Sequence, residues 1–203
     1  MNLRVIVPVK PFGEAKQRLA PVLNSVERTR LAERMFRHVL GTAAALFGAA
    51  NVLVVSRSQA VLAIAEGEAA PALLESESSD LNSALRQAAR FATMRGNSRL
   101  LILASDLPLL DGRDLEEMAM HDCAIAPDRH EQGTNALLWR AYLPFHFGEN
   151  SLMRHRAAAE NAGLVPRIVS RPGLQHDVDV AEDLMEIEAQ PNLVRSSGST
   201  RSE

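Results

Sequence analysis

Three polar segments of the chain carry residue types from which a phosphate-handling site could be built. The first, residues 8–19, follows an apolar run and contains Lys10, Lys16 and Arg18 together with Gly13. Such a flexible basic loop suits a triphosphate, because Lys16 with Arg18 or Lys10 would neutralise charge that moves towards a leaving pyrophosphate. The glycines match neither GxGxxG nor GxxxxGK[ST], and a solvated surface loop is the alternative interpretation.

The second segment places a carboxylate directly after the most apolar run of the chain. Residues 99–104 (RLLILA) lead into Ser105 and Asp106. Because ligands collect beyond the carboxyl ends of parallel strands and Mg²⁺ prefers oxygen ligands, Asp106 is the predicted metal ligand. The alternative is that Asp106 caps the following helix, although Asp111 or Asp114 could serve as that cap equally well.

The third segment, HDVDVAEDL, carries two more carboxylates late in the chain. Side chains alternate along an extended segment, so Asp177 and Asp179 would lie on one face and both could approach a cation held by Asp106. The alternative is that Asp179 caps the last helix with Glu182 as its capping-box partner, and the two roles are compatible.

A further polar region predicts a binding site for an anionic acceptor. Residues 127–137 form a polar, glycine-containing turn that leads into a strand, and Gly148 and Ser151 precede a helix. Ser151 would cap that helix, whose N–H groups could bind an anion, with Arg154 and Arg156 as bidentate partners. An exposed helix face is the alternative for the two arginines, and it is favoured for Arg156.

The elements that must position these segments alternate between strand-like and helix-like patterns, and Ser25 is the predicted N-cap of the first helix. This alternation predicts an α/β fold with a mainly parallel sheet flanked by helices. The predicted strands are residues 3–9, 51–56, 72–75, 99–104, 123–127, 135–140 and 164–169, and the predicted helices are residues 25–47, 59–66, 80 or 81 to 94, 151–162 and 180–189, with one more after Pro108.

The composition suits one globular domain. The chain has 203 residues, of which 46% are hydrophobic, so it can bury a substantial core, and we predict a single domain over residues 1–189. The remaining residues, 190–203, are rich in Ser and Arg with little to bury, which predicts a flexible tail. The oligomeric state is left open, and an exposed apolar strand edge would favour a homodimer.

Charge and cysteine content argue against several classes of protein. A formal net charge of -3 disfavours a general nucleic-acid binder, which needs a basic surface. The longest apolar run, residues 39–55, contains polar residues and is short for a membrane span of roughly 20 apolar residues. The single cysteine, Cys123, and the lack of a secretory signal predict a cytoplasmic protein. The spacing of the histidines predicts no zinc site.

Several of these segments together resemble one protein family. The opening VIVPVKPFGEAKQRLAPVL is similar to the start of the 2-phospho-L-lactate guanylyltransferase family of coenzyme F-420 biosynthesis. SDLPLL, PDRHEQGTNALL, FGENSLMRHRAAA and HDVDVAEDL follow in the family's order, so the resemblance covers nearly the whole chain before the predicted tail. DLP and DVD are weak motifs individually, but the set is specific.

The resemblance implies the Rossmann-like fold of nucleotide-diphospho-sugar transferases and GTP as donor with Mg²⁺. The implied acceptor is 2-phospho-L-lactate, phosphoenolpyruvate or 3-phospho-D-glycerate. It implies acceptor contacts by Thr134, Gly148 and Ser151, to which we add Arg154, and metal binding by Asp106 with Asp177 or Asp179. The expected nucleotide contacts are Pro8, Val9, Lys10, Lys16, Asn82 and Ser105, and the expected catalytic residues are Lys16, Arg18 and Asp106.

The chain departs from the family pattern at two places. Asp80 stands where glycine is expected before Leu81 and Asn82, which leaves guanine recognition by Asn82 open, and Val180–Ala181 replaces Thr-Pro. Two alternative functions remain. One is a cytidylyltransferase or molybdopterin nucleotidyltransferase of the same superfamily, and the other is a catalytically silent nucleotide-binding domain.

Overall fold

A seven-stranded sheet in the order β3-β2-β1-β4-β6-β5-β7 forms the centre of the fold. The structure is a computed structural model that describes residues 3–76 and 80–188, and the predicted tail at residues 190–203 lies outside them. The strands are β1 (Leu3–Pro8), β2 (Val52–Ser56), β3 (Ala72–Leu74), β4 (Arg99–Leu103), β5 (Ala124–Pro127), β6 (Thr134–Arg140) and β7 (Arg167–Ile168). The helices are α1 (Ser25–Phe47), α2 (Gln59–Gly67), α3 (Leu81–Thr93), α4 (Gly112–Ala119), α5 (Ser151–Asn161), α6 (Pro172–Gln175) and α7 (Ala181–Glu188).

Six of the seven strands point the same way, so the predicted α/β fold with a mainly parallel sheet is confirmed. The exception is β6, which pairs antiparallel with both β4 and β5. Because β6 runs in reverse, its first residues lie at the edge of the sheet where β1 and β4 end. This edge therefore collects the ends of parallel strands and the start of the antiparallel one.

The two faces of the sheet are covered by different helices. On β1, Val5 and Val7 are buried with Phe36 of α1 on one face, whereas Ile6 is buried with Leu85 of α3 on the other. This alternation is what a two-sided, fully buried strand requires, and it explains why β1 is an almost continuous apolar run.

Two sequence predictions about element ends are wrong. The first helix is capped by Asn24 rather than Ser25, because the Asn24 side chain accepts hydrogen bonds from the backbone N–H groups of Val26 and Glu27. The predicted strand 164–169 shrinks to the two residues of β7. Leu164 instead closes the end of α5 by donating its backbone N–H to Ala159, after Gly163 at φ 73°.

No helix within the described ranges combines the length and apolar character that a membrane crossing would require.

Candidate active site

The three polar segments meet at one cleft, of about 840 Å³, at the carboxyl edge of the parallel strands. That volume lies within the range of small-molecule binding sites. Of the residues predicted from sequence, those that line the cleft are Pro8, Val9, Lys10, Lys16, Arg18, Asn82, Ser105, Asp106, Thr134, Gly148 and Asp179. Asp177 instead lines a smaller adjoining cavity of about 210 Å³, which Arg18 and Asp179 also border.

A cluster of three carboxylates lies at the centre of this edge. One oxygen from each of Asp106, Asp177 and Asp179 lies within 4.8 Å of the other two. Asp106 follows the end of β4, and the other two flank Val178, which is buried against Leu19. Burial of Val178 turns both neighbouring carboxylates to the opposite side, towards Asp106, as the predicted alternation requires.

Lys16 joins the basic loop to this cluster. Its ammonium donates to Asp106, and to Asp179 at 3.0 Å, and its side chain is only 6% exposed. Lys16 also has left-handed backbone angles, φ 57° and ψ 35°, which are strained for a residue other than glycine. Burial alone would favour the neutral amine, but the two carboxylates outweigh it and raise the pKa of Lys16, so the ammonium is charged.

The protonation of Asp177 reflects first its burial and then the negative charges near it. Burial, followed by the neighbouring Asp106 carboxylate, raises the pKa of Asp177 to about 6. The side-chain amide of Asn135 donates to Asp177 at 3.0 Å and opposes that rise. Asp179 has the opposite shift, because Lys16 overcomes the effect of burial and lowers the pKa of this carboxyl group.

The alternative capping roles of Asp106 and Asp179 are not the ones observed. Asp111 caps α4 by accepting from the backbone N–H of Asp114, so α4 has a cap other than Asp106. At the last helix the side chain of Asp183 accepts from the backbone N–H groups of Asp179 and Val180. The proposed Asp179–Glu182 capping box is therefore wrong, and the Asp179 carboxylate contacts Lys16 instead.

The mouth of the cleft carries the rest of the basic loop. Lys10 and Arg18 are both exposed there, and the loop is held at its middle and at its carboxyl end. Glu14 forms an ion pair with Arg57, just beyond β2, and Leu19 is fully buried next to Met35 of α1. The two exposed cations are thus presented by a loop that is fixed to the core.

On the opposite wall, Thr134 and Ser151 form a pair of hydroxyl groups. The Ser151 hydroxyl bonds Thr134 Oγ1 at 3.2 Å, and Thr134 Oγ1 lies 3.1 Å from Nδ1 of the buried His155. Thr134 borders the cleft, whereas Ser151 is buried behind it. Gly148 lies beside them at φ 121°, a conformation that L side chains rarely adopt, so this turn requires glycine.

The structure of α5 differs from the prediction that Ser151 caps this helix. Ser151 is the first residue of the helix rather than its cap, and its backbone N–H donates to Gly148 while that of Leu152 donates to Gln132. These N–H groups are therefore engaged within the protein and do not form the expected anion site. Arg154 lies on the exposed face of α5 and is not among the cleft-lining residues, because Ser151 and His155 occupy the inward face.

Asn82 lies between the two walls of the cleft. Its side-chain amide donates to the carbonyl of Phe147 at 3.0 Å and accepts the N–H of Phe147 at 2.8 Å. The unexpected Asp80 caps α3, since its carboxylate accepts from the backbone N–H groups of Asn82 and Ser83 and from the Ser83 hydroxyl. These hydrogen bonds, led by that from the Ser83 hydroxyl, lower the pKa of Asp80.

Two residues of the site were missed by sequence reasoning. Asn135 orients Asp177, and His155 supports Thr134, although neither side chain borders the large cleft. The signal for Asn135 was present, since an amide residue within the apolar strand NALLWR needs a buried polar partner. His155 gave no comparable signal, because it stands between Arg154 and Arg156 in a stretch that is typical of an exposed helix face.

A parallel sheet whose carboxyl edge joins a basic loop to a carboxylate cluster defines an α/β enzyme of phosphate chemistry, and comparisons with known proteins specify which one. The family model "Guanylyl transferase CofC like" matches residues 3–196. The chain is 42% identical over 198 residues to phosphoenolpyruvate guanylyltransferase of Rubrobacter xylanophilus, covering 93% of this chain and 95% of that protein.

Two further comparisons agree. The chain is 35% identical over 192 residues to 2-phospho-L-lactate guanylyltransferase of Methanothermobacter thermautotrophicus, covering 92% of this chain and 84% of the relative. A solved structure from Desulfovibrio desulfuricans G20, described as a candidate nucleotide-diphospho-sugar transferase, superposes with a TM-score of 0.75 at 19% identity, covering 100% of this chain and 91% of that one. The solved structure supports the fold, and the family model and the relatives show that the protein is a nucleotidyltransferase. It belongs to the CofC-like guanylyltransferase family, as its sequence motifs predicted.

Proposed function

We propose that this protein transfers GMP from GTP to the phosphate group of phosphoenolpyruvate and releases pyrophosphate, as a step in coenzyme F-420 biosynthesis. Membership of a guanylyltransferase family supports GTP as the donor. The names of bacterial relatives, such as those from Rubrobacter xylanophilus and Chloroflexus aggregans, support phosphoenolpyruvate as the acceptor. We place the reaction in the cytoplasm, with small molecules as the partners.

The observation that carries the proposal is the contact of Lys16 with Asp106 and Asp179 at the wall of the cleft. Residues from three distant parts of the chain converge there on a single ammonium group. A nucleoside triphosphate brings several negative charges, and the ammonium is the fixed positive charge that such a ligand requires.

The donor set of the carboxylate cluster suits Mg²⁺. Asp106, Asp177 and Asp179 supply hard oxygen ligands at mutual distances that one small cation could bridge. Three carboxylates and one ammonium leave two negative charges, which a divalent cation would neutralise. When bound, Mg²⁺ would offset the charge of the phosphates and polarise a phosphoryl oxygen.

The reaction needs no general base on the protein. The phosphate monoester of the acceptor is already largely ionised near neutral pH, so one of its oxygens attacks the α-phosphorus of GTP in line. A new P–O bond forms as the bond to the α–β bridging oxygen breaks, and the electron pair leaves with pyrophosphate. Lys16, with Lys10 and Arg18 at the mouth, neutralises the charge that accumulates on that leaving group.

The two substrates would occupy opposite walls of the cleft. On the nucleotide side we assign Pro8, Val9, Lys10, Ser105 and Asn82, and the Asn82 amide retains one N–H and one lone pair beyond its bonds to Phe147. On the acceptor side we assign Thr134, Gly148 and Ser151. Arg154 is omitted because its side chain lies on the exposed face of α5.

The direct test is pyrophosphate release with GTP and Mg²⁺ in the presence of phosphoenolpyruvate, 2-phospho-L-lactate or 3-phospho-D-glycerate, with the product identified by mass spectrometry. We expect the largest kcat/KM with phosphoenolpyruvate. A preference for another of the three acids would reject the acceptor assignment but retain guanylyl transfer.

The alternatives are separated by the same assay. A panel of GTP, CTP, ATP and UTP distinguishes a guanylyltransferase from a cytidylyltransferase of the same fold. If GTP binds and no acid yields pyrophosphate, the chain is a silent nucleotide-binding domain and the proposal fails.

A further inference from the structure

The imidazole of His155 is a buried titratable group that the proposed reaction does not use. It is fully buried and packs edge-on against the rings of Phe147 and Trp139, with centroid distances of 4.8 and 5.6 Å. Full burial means that it touches neither substrate. Any role of His155 in the reaction must therefore act through the residues to which it is hydrogen-bonded.

The hydrogen bonds of His155 define where its proton lies. Nε2 receives the backbone N–H of His146 at 3.0 Å. A backbone N–H can only donate, so Nε2 must carry a lone pair, and the ring is neutral with its one proton on Nδ1. Burial, followed by the charges of His146 and Arg154, lowers the pKa of His155 to about 3, which agrees with a neutral ring.

This tautomer determines the direction of the bonds around Thr134. Nδ1–H donates to Thr134 Oγ1, and the hydroxyl groups of Thr134 and Ser151 bond each other at 3.2 Å. The pair has two hydroxyl hydrogens, of which its mutual bond uses one. The Ser151 hydroxyl donates in that bond, and Nδ1 has no lone pair to accept from Thr134, so the hydroxyl hydrogen of Thr134 is left for a group in the cleft that Thr134 borders. In the opposite tautomer Nδ1 would take that hydrogen itself.

We infer that His155 is a positioning residue which, by donating from Nδ1, keeps one hydroxyl hydrogen of the Thr134–Ser151 pair directed at an anionic oxygen of the phosphorylated acceptor. This inference rests on the proposed function, because it assumes that the acceptor lies against Thr134. The same ring also holds the backbone of His146, two residues before Gly148, so both parts of the acceptor wall depend on it.

Two substitutions separate the two hydrogen bonds of the ring. In His155→Asn the amide nitrogen can take the place of Nδ1–H and donate to Thr134, but the acceptor for His146 is lost. In His155→Gln the longer side chain can place its oxygen near Nε2 and accept from His146, but the donor to Thr134 is lost. Arg156→Gln, on the exposed face of the same helix, is the control.

The test is steady-state kinetics of the full chain with GTP and the preferred acid. We expect His155→Gln to raise the KM of the acid about tenfold, because the variant loses one hydrogen bond to a charged oxygen. The KM of GTP should stay within about twofold of wild type. His155→Asn should keep the KM of the acid within about threefold. The inference is overturned if folded His155→Gln keeps the wild-type KM for the acid, or if both KM values rise together.

A second measurement needs neither a stable variant nor turnover. Long-range ¹H–¹⁵N NMR of the wild-type imidazole should show a neutral ring with its proton on Nδ1 between pH 5 and 8. A proton on Nε2, or a charged ring in that range, overturns the inference. If wild type releases no pyrophosphate with any of the three acids, the proposed function fails, and that result is distinct from any change confined to the His155 variants.

Discussion

Asp106 takes part in several features of the candidate site at once. It contacts Lys16, belongs to the carboxylate cluster and borders the cleft, and capping of the next helix is left to Asp111. Its negative charge therefore lies at the cleft rather than at the N-terminus of α4.

Asp106→Asn should lower turnover by on the order of a hundredfold or more, because it removes charge where the transition state is stabilised. Pyrophosphate release at saturating GTP and acceptor measures the effect. The matched control is Asp111→Asn, which removes the same charge five residues away but retains a good N-cap, and its turnover should stay near wild type. A value for Asp106→Asn within a few-fold of wild type would remove this carboxylate from the mechanism.

Lys16→Gln should move turnover and metal affinity in opposite directions. Loss of the ammonium leaves three carboxylates without their cation, so we expect tighter Mn²⁺ binding by electron paramagnetic resonance and turnover lower by on the order of a hundredfold. Lys10→Gln removes the same charge from the exposed mouth and should have a smaller effect on both. Weaker Mn²⁺ binding in Lys16→Gln would contradict this account of the cluster.

The raised pKa of Asp177 predicts that metal binding depends on pH. Protons compete with the cation for a carboxylate whose pKa is about 6, so between pH 7 and pH 5 the Mn²⁺ affinity should fall about tenfold. The sign follows from the metal requiring the ionised form, which predominates only above pH 6. Asp177→Asn should bind Mn²⁺ more weakly and remove this dependence, and a wild-type affinity that is unchanged over the range would count against it.

At the level of elements, the close approach of α6 to α4 determines where the Asp177 and Asp179 segment begins. A Cβ on Gly173 would lie 1.9 Å from a carboxylate oxygen of Asp114 and 2.7 Å from the Leu109 carbonyl. Asp114 is itself buried, and Arg171 donates to it at 2.5 Å. Glycine is therefore required at this contact for steric rather than conformational reasons.

Gly173→Ala should destabilise the protein by about 1–3 kcal/mol, the usual effect of forcing a methyl group into a packed contact. For a chain of this size that lowers Tm by roughly 2–4 °C per kcal/mol. Gly41→Ala is the control, because Gly41 is exposed on α1 with nothing within 4 Å of a new Cβ, and it should raise stability by about 0.5–1 kcal/mol. Thermal and urea unfolding measure both, and equal effects of the two substitutions would contradict the steric argument.

Element type was predictable from sequence where one physical signal dominated. Strands β1 and β4 are almost wholly buried apolar runs, and α3 carries its apolar residues at helical spacing, so all three were predicted within a residue or so at each end. The cap Asn24 was missed because Ser25 is an equally good cap by residue type, and only the observed reciprocal bond with Glu27 distinguishes them.

The candidate site was predictable in its charged residues and less so in its supporting ones. Charged residues in the loops that follow the strands of a parallel sheet commonly lie at a ligand site. Asp106, Asp177 and Lys16 could therefore be singled out from their residue types and positions. Arg154 was misjudged because the helical phase of α5 was not fixed by sequence, and that phase turns the side chain to solvent. Whether the assigned residues bind substrates stays a prediction.

At the scale of the whole molecule, substrate binding should increase resistance to unfolding. A ligand that binds only the native state adds about 2.7 kcal/mol to the free energy of unfolding at a hundred times its Kd. With GTP and Mg²⁺ together we expect a rise in Tm of roughly 5–10 °C. CTP at the same concentration should give a smaller rise, and chelation of the metal should reduce the effect of GTP. Equal shifts with GTP and CTP would contradict selection of guanine.

The reversal of β6 has a consequence for how this family could diversify. Because β6 runs antiparallel to β5, the two are joined by the short turn of residues 128–133 rather than by a crossover helix, and the backbone of that turn is hydrogen-bonded to Gln175 and to Leu152. Asp128, Arg129, His130 and Gln132 of this turn border the smaller cavity together with Asp177 and Asp179. Exchanging the turn between relatives would therefore change the surroundings of these two carboxylates while the sheet stays intact. Such an exchange should alter the affinity of the carboxylate cluster for a cation more than the shape of the large cleft, because no residue of the turn borders that cleft.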